Sequence, residues 1–359
     1  MRRKDVHRSI VLVVALILAT ACSSAATNPP PSATARAATG ASASGGAPEK
    51  SSLKIGVGGQ GQIIYMPLTL ADQLGYFKQE GLSVEIQDLK GGADALTAMI
   101  GGSTDATMGF YEHTVRTQTQ GKFIQMIATC DLYPGLVMFA GKSHPDAKTI
   151  KDMANLKIGI TSAGSSTEEM VKFLFKKNGM DPAAAQTVAV GSGGPAITAL
   201  KNGVVDALVT VEPAASTIEK NGDGTVLYDT RTEQGTRDVF GGAWPAGGFY
   251  APTDFVQQNP RTAQALARVA VDTLKYIQSH SAEDIAAKLP GQLFYPDGDQ
   301  AAFAKVLGAN LKMFSPDGKM PADGPTNVLE TLKAADTQTD WSKVDLSKTF
   351  TNSLVETVK

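Results

Sequence analysis

The chain has 359 residues, 42% of them hydrophobic and 19% charged, which is the balance of a soluble globular protein long enough for two ordinary domains. Its 33 Lys and Arg stand against 35 Asp and Glu, for a net charge of −2. With no basic helix or clustered basic run in the folded part, that balance argues against a nucleic-acid-binding protein.

The N-terminus reads as an export signal, residues 1–21. Arg2, Arg3 and Lys4 form a positive n-region, and Ile10 to Ala19 an apolar h-region too short to span a bilayer as a mature helix. Ala19-Thr20-Ala21-Cys22 resembles the lipobox of bacterial lipoproteins, although Ala19 stands where that pattern prefers Leu. The resemblance implies a lipid on Cys22 and an anchored protein in the periplasm or on the outer cell surface. Residues 22–52 are rich in Ser, Ala, Thr, Pro and Gly, and are expected to be a disordered tether. With Cys22 acylated, Cys130 has no partner for an intramolecular disulfide, and its apolar surroundings point to a small buried hydrophobe.

The folded part contains one unit twice. Ala95–Ala106 (ALTAMIGGSTDA) aligns without a gap to Ala196–Ala207 (AITALKNGVVDA), Gly102 falling on Gly203 and Asp105 on Asp206. Upstream, Lys54–Val57 matches Lys157–Ile160, and Phe77–Leu82 matches Phe175–Met180. Each unit reads strand, loop, helix, Gly stop, strand, Gly-rich loop, helix, Gly stop, strand. The strands are expected near Leu53–Val57, Ser83–Leu89 and Asp105–Phe110, then near Lys157–Ile160, Gln186–Val190 and Asp206–Val211. Alternating strands and helices predict parallel sheets covered on both faces, here two α/β lobes. A ligand cleft is expected between them, at the C-terminal strand ends.

Lys157 to Met180 is the most informative stretch. Lys157–Ile160 reads as a buried strand and Thr161–Ser166 as a loop of small residues. Thr167–Lys177 carries Met170, Val171, Leu174 and Phe175 at helical spacing. Ser166 with Glu169, or equally Ser165 with Glu168, fits a capping box. Such a helix start offers free backbone N–H groups to a ligand, but the two glutamates disfavour a strongly anionic one.

Further on, Gly241–Phe255 reads as the return crossing, with a hinge and a strand. Arg261–Leu289, Asp297–Met313 and Pro325–Ala335 read as helices that pack back on the first lobe, with turns at Tyr295-Pro-Asp-Gly and Ser315-Pro-Asp-Gly. The divisions are 53–142 for the first part of lobe one, 143–245 for lobe two, and 246–359 for the return.

The pattern Tyr65-x-Pro67-Leu68-x-x-Ala71-x-x-x-Gly75-x-Phe77-x-x-Glu80-Gly81-Leu82-x-Val84-Glu85 resembles the opening of the substrate-binding proteins of ABC importers for nitrate, sulfonates, taurine and thiamine-pyrimidine precursors. Ala95–Ala106, Ile150–Lys157, Gly164–Thr167 and Asp206-Ala207 followed by Glu212-Pro213 extend the resemblance over roughly residues 53 to 290. It implies the type II periplasmic-binding-protein fold, a monomer that closes on a small molecule, and an ABC permease with a separate ATPase as partner. It implies no cofactor, no metal and no catalysis. By the same resemblance Ser162, Gly164, Ser165, Ser166 and Thr167 hold a polar head group. Phe110, Tyr111, Glu112 and His113 line the first-lobe wall, Glu212 is a cleft acid, and the first loop, Gly58–Ile64 with Gln60 and Gln62, lies over the cleft on the other side.

No Arg or Lys stands in these loops, so the expected ligand is a small organic molecule, neutral, zwitterionic or monoanionic. Tyr65, Tyr111 and Trp244 are the rings for an aromatic ligand to stack on. Each residue has a plainer reading beside this one: Tyr111 in the core, Glu112 and His113 turned into the next helix, Glu212 shaping a turn, Gln60 and Gln62 exposed, Trp244 as packing. Two rivals are weak. Gly56, Gly58 and Gly61 imitate a dinucleotide fingerprint, but the chain is read as exported and Pro67 interrupts the helix start. A synthase on this fold would carry a cysteine cluster, and the folded part has Cys130 alone. A receptor presenting its ligand to a sensor is not separable from an importer by sequence.

Overall fold

The structure, a computed structural model, describes residues 46–358; the signal segment and Cys22 lie outside the described residues. The chain builds two five-stranded sheets. In chain order the strands are β1 (Ser52–Val57), β2 (Ser83–Asp88), β3 (Ala106–Phe110), β4 (Ile124–Thr129), β5 (Val137–Gly141), β6 (Lys157–Ile160), β7 (Gln186–Ala189), β8 (Ala207–Thr210), β9 (Gly224–Asp229) and β10 (Gly247–Pro252). The first sheet runs β2-β1-β3-β10-β4 and the second β7-β6-β8-β5-β9. In each, three parallel strands are followed by two more, the first of them antiparallel to its neighbours on both sides.

The repeat seen in the sequence is thus a repeat of topology, and it has a shared bonding device. The Asp105 carboxylate accepts the Lys54 amide at 2.9 Å, and Asp206 accepts the Lys157 amide at the same distance. The backbone amides of the two aspartates return to the Lys54 and Lys157 carbonyls at 2.8 Å. Each pair zips the start of a central strand onto the turn that begins the third, and so sets the register of the parallel ladder.

The fourth strand of each sheet comes from the other side of the crossing. β5 leaves the first lobe to enter the second sheet, and β10 returns to enter the first. The outward crossing is therefore Asp131–Leu136, ahead of the boundary expected at 142. The two crossings are bonded together: Thr230 N–H to the Leu136 carbonyl at 2.9 Å, Asp131 N–H to the Gly247 carbonyl at 2.9 Å, and Ala246 N–H to the Asp131 carbonyl at 3.0 Å. β4, β5 and β9 are strands beyond those expected; β4 lies within the apolar stretch Phe123 to Leu136 and β5 directly follows it.

Three further expectations change. Residues 46–51 belong to the folded body rather than the tether. Glu49 accepts the Arg261 and Thr262 amides at 3.2 and 3.0 Å, filling a cap position for the helix Pro260–Ser279. The expected helix 261–289 breaks at His280, which is extended, and a capping box of Ser281 with Asp284 starts a separate turn. The helix Gly324–Ala335 does not lie on the first lobe alone; it packs on the lobe-two helix Ser166–Lys177 as well as on Glu112–Arg116. The tail after Asp340 has a role too: Thr349 and Thr351 bond Met126 at 2.9 and 3.0 Å, covering the free edge of β4.

The second lobe has a small core of its own, with Val137, Phe139, Leu200, Leu208 and Ile218 buried together. Phe139 is the largest of these and is fully buried on β5. Phe139→Ala is expected to lower stability by about 3–5 kcal/mol, read as a lower urea midpoint; an unchanged midpoint would show that β5 is not a core strand of the second lobe.

Candidate functional site

The C-terminal ends of the parallel strands in the two sheets meet across a cleft. From lobe one come Gly58 and Gln62 after β1, Gly92 after β2, and Phe110 at the end of β3; from lobe two come Thr161 and Ser165–Thr167 after β6, and Val211 after β8. Tyr65 and Leu136 complete the lining. The space enclosed is about 20 Å³, room for a single water. The two walls are closed over this space. Glycines permit this closeness: a Cβ at Gly91 would lie 2.5 Å from Ser162 Oγ, and one at Gly58 2.4 Å from the Gly91 backbone.

The lobe-two wall is the start of the helix Ser166–Lys177. The capping box does not form. The Ser165 hydroxyl turns to Thr167 Oγ1 at 2.6 Å, and Glu168 reaches past it to accept the Gly164 amide at 2.6 Å. The Glu168 and Glu169 amides return to the Ser165 carbonyl. The amides of Ser166 and Thr167 have no acceptor within the helix, and both residues line the cleft. Ser162 Oγ is buried beside them without a partner. This wall offers donors to a ligand oxygen.

Lobe one answers with Glu112, fully buried, whose Oε1 accepts Ser166 Oγ at 2.8 Å across the cleft. Its Oε2 accepts the His113 amide at 2.8 Å. Burial pushes the Glu112 carboxyl up to about 7, against the pull of Arg116. Burial, with the Arg116 charge, holds His113 well below its ordinary value and therefore neutral. Its Nδ1 pairs with the Tyr250 hydroxyl at 2.9 Å, while Nε2 lies 3.3 Å from Glu112 Oε1 outside hydrogen-bond geometry. Arg116 makes the second clasp. One guanidinium nitrogen meets Glu169 at 2.5 Å and the other bonds the Gly164 carbonyl. The Ile63 amide donates to the Glu212 carbonyl at 3.0 Å as a third.

Several expected residues point elsewhere. Tyr111 is fully buried away from the cleft, its hydroxyl on Thr349 Oγ1 at 2.5 Å and its ring edge-on to Phe350. Its backbone amide bonds Ala246, which turns the side chain under the sheet. Gln60 bonds Thr69 at 3.0 Å and is not in the lining. The Glu212 side chain turns into lobe two, on Arg231 at 2.7 Å and Ser216. Trp244 stacks on Phe240 with centroids 4.7 Å apart and touches the site only through Phe110. Gln62, Tyr65, Phe110, Ser165, Ser166 and Thr167 come together in the lining, and Ser162 and Gly164 adjoin it.

Arg116 lies outside the loops named from the sequence, one helical turn beyond Glu112. Gly91 and Gly92 occupy the Gly-rich loop of the repeat, which was a usable signal for them. A second and larger concavity, about 890 Å³, lies at the crossings between Tyr133, Arg231, Arg237 and Lys312. Its arginines are committed: Arg231 to Glu212, Glu219 and Asp229, and Arg237 to Glu233. Among the described residues no cluster of His, Cys, Asp and Glu is arranged to hold a metal, and no helix is long and apolar enough to cross a membrane.

The model of the NMT1-like family matches residues 46–290. A solved protein of Bordetella bronchiseptica RB50 is 40% identical, with a TM-score of 0.83, over 86% of this chain and 97% of that one. YtlA of Bacillus subtilis (strain 168) is 24% identical over 262 residues, 71% of this chain and 75% of its own length. The periplasmic nitrate-binding protein NrtA of Synechocystis PCC 6803 has a TM-score of 0.70 at 15% identity, over 87% of this chain and 89% of that one, a likeness of fold. The fold is that of the periplasmic binding proteins, as the motifs from Tyr65 onward implied.

Glu112 gives the site a pH dependence of definite sign. Its value is raised from 4.5 to about 7, so in that window the folded chain holds a proton that the unfolded chain has lost. Stability falls as pH rises through the window, by about 3 kcal/mol in all. Glu112→Gln is expected to flatten the decline of Tm between pH 5 and pH 8. His113 contributes a slope of opposite sign in both proteins, so the difference isolates Glu112; parallel Tm curves would show that this carboxyl does not titrate there.

Proposed function

The chain belongs to the NMT1-like family, and from that premise we propose that it is an extracytoplasmic solute-binding lipoprotein. It captures a small organic molecule by closure of its two lobes and delivers it to an ABC permease driven by a separate ATPase. The observation that carries the reading is the closed cleft itself. Two α/β lobes joined by paired crossings meet at their strand ends, and the clasps at Glu112–Ser166 and Arg116–Glu169 form only when the lobes are together. A ligand that adds contacts to both walls shifts the open–closed balance by its differential affinity for the closed form. A permease then has one surface to recognise, which exists in quantity only when ligand is bound. NrtA is named as a nitrate-binding protein; here the first helical turn already carries Glu168 and Glu169, and Glu112 faces it, which supports an organic ligand over a bare inorganic anion.

The anchor is the part of this reading that rests on Cys22. Cells expressing the full chain and fed labelled palmitate are expected to incorporate label into the protein, and Cys22→Ala to abolish it. Label retained in the variant would remove the lipoprotein assignment and leave the rest.

The binding reading is tested by thermal shift of the full chain, extracted in mild detergent, against a small-metabolite library. A cleft ligand raises Tm with concentration. Ser166→Ala is expected to weaken that ligand about tenfold or more, because it removes a wall donor and leaves Glu112 short of a partner. Tyr111→Phe, which only loosens Thr349, is expected to leave affinity unchanged. If no compound in the library raises Tm, solute capture fails.

A further inference from the structure

The seam between the lobes follows the internal repeat. Lys54–Val57 falls on Lys157–Ile160, and the same register carries Gly59 onto Ser162 and Ile63 onto Ser166. Ala95–Ala106 falls on Ala196–Ala207, which carries Gly91 onto Ser192, Phe110 onto Val211 and Tyr111 onto Glu212. In the structure these equivalent positions meet one another across the cleft. A Cβ on Gly59 would lie 2.4 Å from Ser192 Oγ, and a Cβ on Gly91 2.5 Å from Ser162 Oγ. In both contacts the loop after the first strand of one lobe meets the loop after the second strand of the other, and a serine faces a glycine. The cross-cleft hydrogen bonds obey the same exchange to within one residue: Ile63 N–H donates to the Glu212 carbonyl at 3.0 Å, and Ser166 Oγ to the Glu112 carboxylate at 2.8 Å. The lining itself contains the equivalent pairs Gly58 and Thr161, Gln62 and Ser165, and Phe110 and Val211. The lobes therefore meet as two copies do about a twofold axis, by patches that complement each other in both directions.

Of the two glycines, Gly91 isolates what this seam requires. Its backbone is extended, with φ −166° and ψ 171°, a conformation any residue adopts. The three atoms nearest to an added Cβ are Ser162 Oγ, Ser162 Cβ at 3.0 Å and the Thr161 carbonyl carbon at 3.2 Å, all in the second lobe. A side chain at Gly91 is thus opposed by the other lobe and not by its own backbone. Turning the Ser162 hydroxyl aside would leave the other two contacts, so relief requires the lobes to part. Gly59 carries a double demand, since its φ is +106° and a Cβ there would also fall 2.2 Å from Gln62 Nε2 of its own lobe.

We propose that these two reciprocal glycine seats are the stops of lobe closure, with Gly91 as a positioning residue. It admits Ser162, and so lets the walls come near enough for Glu112 to reach Ser166 and for Arg116 to reach Glu169. It acts through those residues and not by touching a ligand. Two contacts related by an axis resist a tilt that one contact would allow, which is why the stop is present in both directions. The proposal rests on the lobe-closing reading above and adds to it what fixes the closed position.

The test is amide hydrogen exchange of the full chain in mild detergent, with no solute added. The Ile63 amide reports the seam, because its acceptor lies in the other lobe. The Lys54, Asp105, Lys157 and Asp206 amides are bonded within one lobe and serve as controls. Gly91→Ala is expected to speed exchange at Ile63 about tenfold or more and to leave the controls unchanged. Adding Ser162→Gly removes the opposing side chain and is expected to restore most of the protection, which loss of a merely structural glycine would not allow. Ser192→Leu enlarges the reciprocal contact while Gly91 stays intact, and is expected to speed Ile63 in the same way. The proposal is overturned if Ile63 keeps its protection in Gly91→Ala, if Ser162→Gly does not restore it, or if Ile63 is already unprotected in the unaltered chain. Should Gly91→Ala disturb the controls as well, Ser192→Leu decides: faster exchange at Ile63 alone upholds the seats, and unchanged exchange overturns them. Failure here leaves solute capture standing, and failure of the metabolite screen does not alter what Ile63 reports.

Discussion

The pairing of the two crossings is the constraint on which the rest depends. Each sheet lacks a strand until the chain has crossed: β5 completes the second sheet on the way out, and β10 completes the first on the way back. Without the exchanged strands, β3 and β8 would each lack a hydrogen-bonded neighbour on one edge. The backbone bonds from Asp131 to Ala246 and Gly247, and from Leu136 to Thr230, hold the exchanged strands side by side. They bond the two connections between the lobes to each other, and the cleft lies where the parallel strands end.

Charge then decides how the bodies meet. The closed interface contains more acid than base: Glu112, Glu168 and Glu169 near the helix start, with Arg116 reaching across from lobe one and Lys172 on the same helix. Burial raises Glu112 and Glu169 toward neutrality, whereas Glu168 ends below its ordinary value because the Gly164 amide, Lys172 and Thr187 outweigh its burial. One helix start thus carries an ionised acid that orders its own loop and a shielded acid that grips the other lobe. Asp131, at the foot of the crossing, is a third case: fully buried, raised by that burial against the pull of the Gly247 backbone, and in no ion pair among the described residues.

Much of the architecture was readable before any coordinates. The gap-free match of Ala95–Ala106 to Ala196–Ala207 gave two copies of one unit, and the period of the apolar residues gave its strands and helices. The stops at Gly81, Gly102, Gly179 and Gly203 were legible because each adopts a left-handed backbone that other residues resist. The site was legible at the level of loops. Gln62, Tyr65, Phe110 and Ser165–Thr167 lie in the lining because they end parallel strands or belong to the loops and turns that leave them. Side-chain direction was not legible. Tyr111 and Glu212 follow strands equally closely, yet one turns to Thr349 and the other to Arg231.

The sequence by itself determined the repeated α/β unit, the count of lobes and the loops that could form a site, because these depend on local periodicity and on glycine and aspartate at set positions. Only the tertiary structure decided which sheet receives β5, where the tail after Asp340 lies, and which acids end up facing a partner. Those outcomes depend on contacts between residues far apart in the chain: Glu112 with Ser166, Arg116 with Glu169, Tyr111 with Thr349. No pattern along the chain encodes such pairs. They are set by which groups must find hydrogen-bond partners once two sheets have been joined by a common ribbon and brought face to face.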